Sequence, residues 1–236
     1  VTLFNDTSFL KSLYNTVLLV LGNVPLVLVF SFFISIVVYN KSEFIRSFTR
    51  AAFYFPAVSS VVSIGLVWKW IFNPIHGILN YILSVFGLEG VNWLGDKRYA
   101  LPSLVIVLFT LSLGQPVILY IASIGNIPAT YAEAAEIDGA SRWTQVWKII
   151  WPLVKPTTLY IMVITTINSF QTFAIVQLLT GGGPFYSTST IVFQLYKTAF
   201  EFGEYGLATA MGVILAVIVV VISVFQYKYL STDIEY

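Results

Sequence analysis

The sequence contains no cysteine and a single histidine, His76, and only 10% of its 236 residues carry charge. Without cysteine there is neither a disulfide framework nor a thiolate metal site. One histidine excludes a multi-histidine metal centre. A net charge of +1 leaves no clustered basic face of the kind nucleic-acid binding needs. No Gly-x-x-x-x-Gly-Lys-Ser/Thr segment occurs, and Gly181-Gly182-Gly183-Pro184 is not followed by Lys-Ser. The chain therefore lacks the phosphate-cradling loop that would let it hydrolyse ATP by that route. Soluble domains carry roughly a quarter charged residues, and this chain has too few to coat a soluble surface.

What is abundant is apolar: 58% of residues are hydrophobic and the mean hydropathy is +0.85. Such a composition predicts an all-α, polytopic membrane protein lying in a lipid bilayer. A spanning helix needs about 20 mostly apolar residues. Five stretches qualify, at about 13–38, 48–72, 100–124, 156–179 and 206–227. The connection 40–50 is short and basic. That at 73–99 holds a short apolar stretch, 78–88, and then the turn-rich 92–97. The connection 126–155 is the most charged, and 180–205 suits a re-entrant or interfacial helix. The whole chain, 1–236, reads as one membrane domain. It begins at Val1 and runs straight into a hydrophobic segment with no signal peptide, and the expectation is that a further spanning helix precedes it.

Lys and Arg in alternate loops orient the chain. Lys41, Arg46, Arg50, Arg142, Lys148, Lys155 and Lys228 fall on one side; Lys11, Lys69, Lys97, Arg98 and Lys197 fall on the other. Seven against five favours the first side, and with it 126–155, as cytoplasmic.

Within that loop, Ala132, Ala134 and Ala135 are small, strong helix formers. Gly139 accepts the positive φ of a helix C-terminal turn. Trp143, Val146, Trp147 and Ile150 recur at helical spacing, Pro152 is expected to end that second helix, and Pro156 to open the next span. The pattern predicts a protruding helix-turn-helix whose first helix is small-sided and acidic; a solvated surface loop is the alternative. Glu133, Glu136 and Asp138 as a catalytic carboxylate pair would need to flank a pocket, which an exposed loop does not supply.

The stretch resembles the signature loop of binding-protein-dependent ABC permeases: Glu-Ala-Ala, three residues, Gly, nine residues, Ile, one residue, Leu-Pro. Here it reads Glu133-Ala134-Ala135, Gly139, Ile149 and Pro152, every spacing kept, with Trp151 in place of the usual Leu. Trp68-Lys69-Trp70-Ile71-Phe72-Asn73-Pro74, Asn92-Trp93-Leu94-Gly95-Asp96 and Leu178-Leu179-Thr180-Gly181-Gly182-Gly183-Pro184 resemble the first permease of maltose-type and glycerol-phosphate-type importers.

The resemblance implies a subunit of an ATP-driven importer in the bacterial cytoplasmic membrane. It implies a heterodimer with a second permease, two ATPase subunits and an extracytoplasmic solute-binding protein. ATP and Mg would be bound by the ATPase subunits, with no cofactor on this chain. Glu133, Ala134, Ala135, Asp138, Gly139 and Ala140 would form the ATPase-coupling segment, and the triple glycine an outer loop near the docked binding protein. The solute site of maltose-type permeases maps onto Thr110, Leu113, Gly114 and Val117, then Asn168, Ser169 and Thr172.

The residues themselves suit a neutral solute. Thr165, Asn168 and Thr172 share a helical face at i, i+3 and i+7. The third span adds Ser112 and Gln115, with Pro116 placed to kink it. No Asp or Glu lies in any span, so neutral donors and acceptors beside Phe170 and Phe173 fit a sugar. Helix–helix hydrogen bonding is the other use of such residues. The alternative solute is one such as glycerol phosphate, and its charge would call for a cation in the path. Ala208, Gly212 and Ala216 predict a close-packing face on the fifth span.

Overall fold

The computed structural model describes residues 3–230, which form helices and no strand. The longest helix after the start is α1 (Thr7–Tyr39), opened by Asp6, whose carboxylate accepts from the Ser8 amide at 2.8 Å. At ~1.5 Å per residue, its 33 residues exceed the hydrocarbon core. Among the apolar residues of its buried stripe, small polar ones recur: Ser12, Asn15, Thr16, Asn23, Ser31 and Ser35 are all buried. In lipid, where apolar association gives no advantage over acyl chains, such residues allow close approach and interhelical hydrogen bonds. Ser35 donates to the Val117 carbonyl at 3.2 Å. The helix therefore runs through the middle of the bundle, against α5 (Ala100–Ser112), α6 (Gly114–Gly125) and α9 (Trp151–Phe170).

The second expected span is broken. α2 (Glu43–Val58) and α3 (Val61–Ile71) meet at 96°. Ser59 and Ser60 are extended at the break, and the Ser59 hydroxyl donates to the Phe55 carbonyl at 2.9 Å, satisfying a helix-end acceptor locally. α4 (Ile78–Val85) lies in the next connection. There Asn80 uses all four of its hydrogen-bonding positions, donating to the carbonyls of Pro74 and Val91 and accepting from the Val91 amide and the Trp93 indole.

The third span is two helices, α5 (Ala100–Ser112) and α6 (Gly114–Gly125), bent by 45°. The expected kink is present, and its position has a cause. Pro116 has no N–H for the Ser112 carbonyl, and its ring crowds that same carbonyl, so α5 stops at Ser112.

Two boundaries differ from the sequence expectation. Pro152 does not end the loop's second helix: Arg142–Phe170 is one continuous 29-residue helix, made of α8 (Arg142–Gln145), a π-helical turn (Val146–Ile150) and α9 (Trp151–Phe170). The wider turn bonds the Trp151 amide to the Val146 carbonyl, and the proline is taken up in the first turn after it, where a missing N–H costs least. The span then ends at Phe170, not at 179. Gln171–Phe173 leave the helix, and the Thr172 carbonyl is taken by the Thr190 hydroxyl at 2.8 Å. α10 (Ala174–Leu179) is a separate element against α3 and α5.

The connection at 180–205 contains α11 (Ile191–Tyr196), continued by a π turn (Lys197–Glu201) and packed on α1 and α12 (Tyr205–Leu230). Of the expected small-residue face, Ala208 is buried and Gly212 lies against Leu195, whereas Ala216 faces outward.

Alternating chain direction puts α4, α10, α11 and the 181–190 loop at one end of the bundle. α7 (Ala129–Ile137) lies at the other, with the start of α2. Each end has its own apolar core: Leu19, Phe72, Leu104, Val107 and Val176 at the first, Phe32, Tyr120, Ile124, Val154 and Ile161 at the second. Val213, Val217, Val220, Val221 and Val224 stand exposed along α12, an uncovered apolar ridge of the kind a bilayer or a partner subunit covers.

Candidate functional site

Two assemblies of residues stand out. The first is the charged loop. α7 ends as the glycine predicts: Gly139 has φ +72°, its amide bonds the Glu136 carbonyl at 3.0 Å, and the Ala140 amide bonds the Ala135 carbonyl at 2.9 Å. This pair of bonds is the Schellman closure. Ser141 then caps α8, accepting from the Thr144 amide at 3.2 Å. The turn is thus defined on both sides.

Of α7, only Ala135 is buried; Glu133, Ala134, Glu136, Asp138 and Gly139 are exposed, and Ile137 is 88% exposed. The three carboxylates have no ion-pair partner among the described residues. α7 has no acidic residue in its first turn and no basic residue in its last, so Glu136 and Asp138 sit at the negative end of the helix dipole, where acids are disfavoured by about 0.3–1 kcal/mol. Their place is not explained by the stability of the helix itself.

The second assembly is a cavity of about 150 Å³ between α2, α5, α6 and α9. Ser112, Gln115, Tyr160, Thr165 and Asn168 supply its polar wall; Ala57, Leu111, Pro116, Leu119, Ile161 and Ile164 supply the rest. No lining residue is charged.

The structure distributes the seven expected solute residues unevenly. Asn168 is exposed on the cavity wall. Its neighbour Ser169 is buried and turned to α1, where it accepts from the Asn23 amide at 2.9 Å. Val117 and Leu113 are buried among the helices. Thr110 donates to the Val107 carbonyl of its own helix at 2.7 Å.

Gly114 is where α2 and α6 touch: a Cβ there would stand 2.6 Å from the Phe53 carbonyl oxygen and 2.9 Å from the Tyr54 Cα. Thr172 lies past the end of α9, buried, so the i, i+7 relation with Thr165 is not kept.

Sequence reasoning passed over Asn23. It is 1% exposed, on α1, within reach of Ser112 on α5 and Ser169 on α9, two of the four helices that wall the cavity. Its signal was available: an amide in the middle of an apolar run is costly in lipid and needs partners.

A family model described as "Binding-protein-dependent transport system inner membrane component" matches residues 4–235. The chain is 34% identical over 232 residues to the diacetylchitobiose uptake system permease protein NgcF of Streptomyces coelicolor, covering 93% of this chain and 65% of that one. It is 32% identical over 194 residues to the sn-glycerol-3-phosphate transport system permease protein UgpA of Agrobacterium fabrum, covering 81% and 65%. Among solved structures, a bacterial ABC transporter involved in the import of the acidic polysaccharide alginate superimposes with a TM-score of 0.84 at 26% identity, over 97% of this chain and 81% of that one. The signature loop, the bent spans and these likenesses agree, and the chain belongs to the family of inner membrane components of binding-protein-dependent transport systems, as a multi-pass permease.

Proposed function

We propose that this permease forms, with a second permease, the path of a neutral sugar or oligosaccharide handed over by an extracytoplasmic binding protein. Two ATPase subunits, which bind ATP and Mg, drive it through the 126–155 loop. The observation that carries the solute class is the cavity wall: a serine, a glutamine, a threonine, a tyrosine and an asparagine without a charge among them. Hydroxyl-rich, uncharged solutes are bound by such neutral donors and acceptors beside apolar surface. At about 150 Å³ the cavity is smaller than the roughly 300–1,000 Å³ of usual ligand sites, which supports a path completed by a second permease. The name of the relative NgcF fits a saccharide. The name of UgpA keeps glycerol phosphate as the alternative, and the uncharged wall speaks against it.

The exposed α7 is the proposed coupling helix. Its unpaired carboxylates suit a basic groove on an ATPase subunit. At the other end, Phe185 and Tyr186 project at positive φ (51° and 59°) and are 82% and 51% exposed. They are held by Lys11 and Asn15, which donate to their carbonyls. This aromatic prong is the proposed contact for the binding protein.

The test is reconstitution of the permease with its partner permease, ATPase and binding protein in proteoliposomes, with a panel of mono- and oligosaccharides and glycerol phosphate. Uptake and ATP hydrolysis stimulated by one sugar, dependent on the binding protein, are expected. Stimulation by the phosphate ester alone would transfer the chain to the alternative.

A further inference from the structure

Two of the four helices around the cavity contribute polar lining residues near the points where they stop: Ser112 on α5 and Asn168 on α9. Ser112 is the last residue of α5, and Ser169 is the penultimate residue of α9, directly after Asn168. Helix ends are held less firmly than helix interiors, because their last carbonyls have no partner within the helix. Something outside must fix how these two ends lie against each other.

We propose that Asn23 is that positioning residue, and that it also sets the hydrogen-bond polarity of the wall. Asn23 sits on α1, which is unbroken from Thr7 to Tyr39. Its amide nitrogen donates to the Ser169 hydroxyl at 2.9 Å and lies 3.5 Å from the Ser112 hydroxyl. One amide therefore joins three helices at the level of both breaks. Its amide nitrogen is directed at the two serines and not at α1, while its Oδ1 is buried with no partner among the described residues.

A chemical consequence follows. Both serine oxygens act as acceptors toward Asn23, which leaves their hydroxyl hydrogens to donate elsewhere. Ser112 lines the cavity, so its hydroxyl hydrogen is free to face a solute as a donor. Asn168, one residue from Ser169, is presented on the same wall. Asn23 touches no solute; it acts through Ser112 and the Asn168 turn. The inference rests on the cavity being the solute path, and its test below does not require the solute to be known.

The absence of cysteine makes the test direct. A single cysteine at Asn168 (Asn168→Cys) in the assembled transporter is labelled with a charged methanethiosulfonate, and the rate is measured with and without Asn23→Ala. A second cysteine protein, Ser84→Cys, reports on the exposed α4 far from the cavity. The expected result is a shift of at least threefold in labelling at position 168 and none at position 84. Ser169→Ala is expected to give the same shift, with no further change when the two are combined. Ser169→Ala also carries the test if Asn23→Ala fails to assemble. In uptake assays Asn23→Ala raises KM with the turnover at saturation retained. An unchanged rate at position 168, an equal shift at position 84, or multiplicative effects of the two substitutions would each overturn the proposal. A panel in which no sugar is transported would count against the solute assignment and leave the labelling result to decide on Asn23.

Discussion

At the residue scale, Gly139 is held to glycine by its backbone conformation alone, since a Cβ there would meet nothing within 4 Å. Its φ of +72° is the left-handed region, where a side chain costs about 1–2 kcal/mol. Gly139→Val is therefore expected to distort the Schellman turn without unfolding the bundle. Sugar taken up per ATP hydrolysed should fall severalfold while hydrolysis persists, and a ratio equal to that of the parent protein would refute the coupling role. Asn168→Ala removes one neutral hydrogen-bond partner from the cavity, worth ~1 kcal/mol, and is expected to raise KM for uptake about fivefold. Gly114→Val should act differently, through packing. Its side chain would meet the α2 backbone, and overpacking of this kind costs about 1–3 kcal/mol, visible as lower thermal stability of the purified complex. Gly139, Gly114 and Val117 also mark what a single sequence can carry. Gly139 was legible because a turn is local: its residue type and the alanines before it are enough. Gly114 and Val117 were not, because which side of a helix meets the path and which meets another helix depends on elements sixty residues away.

At the scale of elements, the apolar runs were legible as membrane spans because length and composition decide them. Their breaks were only partly so. Pro116 announced the bend of the third span. Pro152 announced an end that does not occur, because a π turn before it absorbs the missing N–H. Gln171–Phe173 announced nothing: the exit from α9 is stabilised by Thr190, a tertiary bond.

α7 illustrates the opposite relation, an element whose sequence suits a partner more than itself. Ile137 is almost fully exposed, so Ile137→Asp is expected to leave the stability of the permease unchanged. It should reduce co-purification of the ATPase subunit at least tenfold, since an apolar contact is replaced by a buried charge. The carboxylates of α7 are expected to add an ionic component to the proposed joint. Release of the ATPase is expected to accelerate between about 0.1 and 0.5 M salt, as screening shortens the reach of exposed charges. Release that is indifferent to salt would argue for a purely apolar joint.

At the scale of the molecule, the proposed function makes this permease one part of a larger machine. Proteoliposomes holding this permease alone are expected to show no ATP-dependent uptake of any sugar, and leaving out the binding protein should reduce uptake in the full assembly to near background.

The continuous helix Arg142–Phe170 gives that machine an angular phase. It begins three residues after Gly139 and carries Asn168 near its far end, so the turn that holds the proposed coupling helix and the cavity wall are joined by one shaft, like two cams. Removing one residue between Val154 and Tyr160 would turn everything beyond it by ~100° and draw it back by ~1.5 Å. The cam at the ATPase end would still seat, and the one at the cavity would face the lipid. Removing a whole turn would nearly restore the angle and leave only the shortened reach, so comparing the two deletions separates timing from distance in how the push arrives.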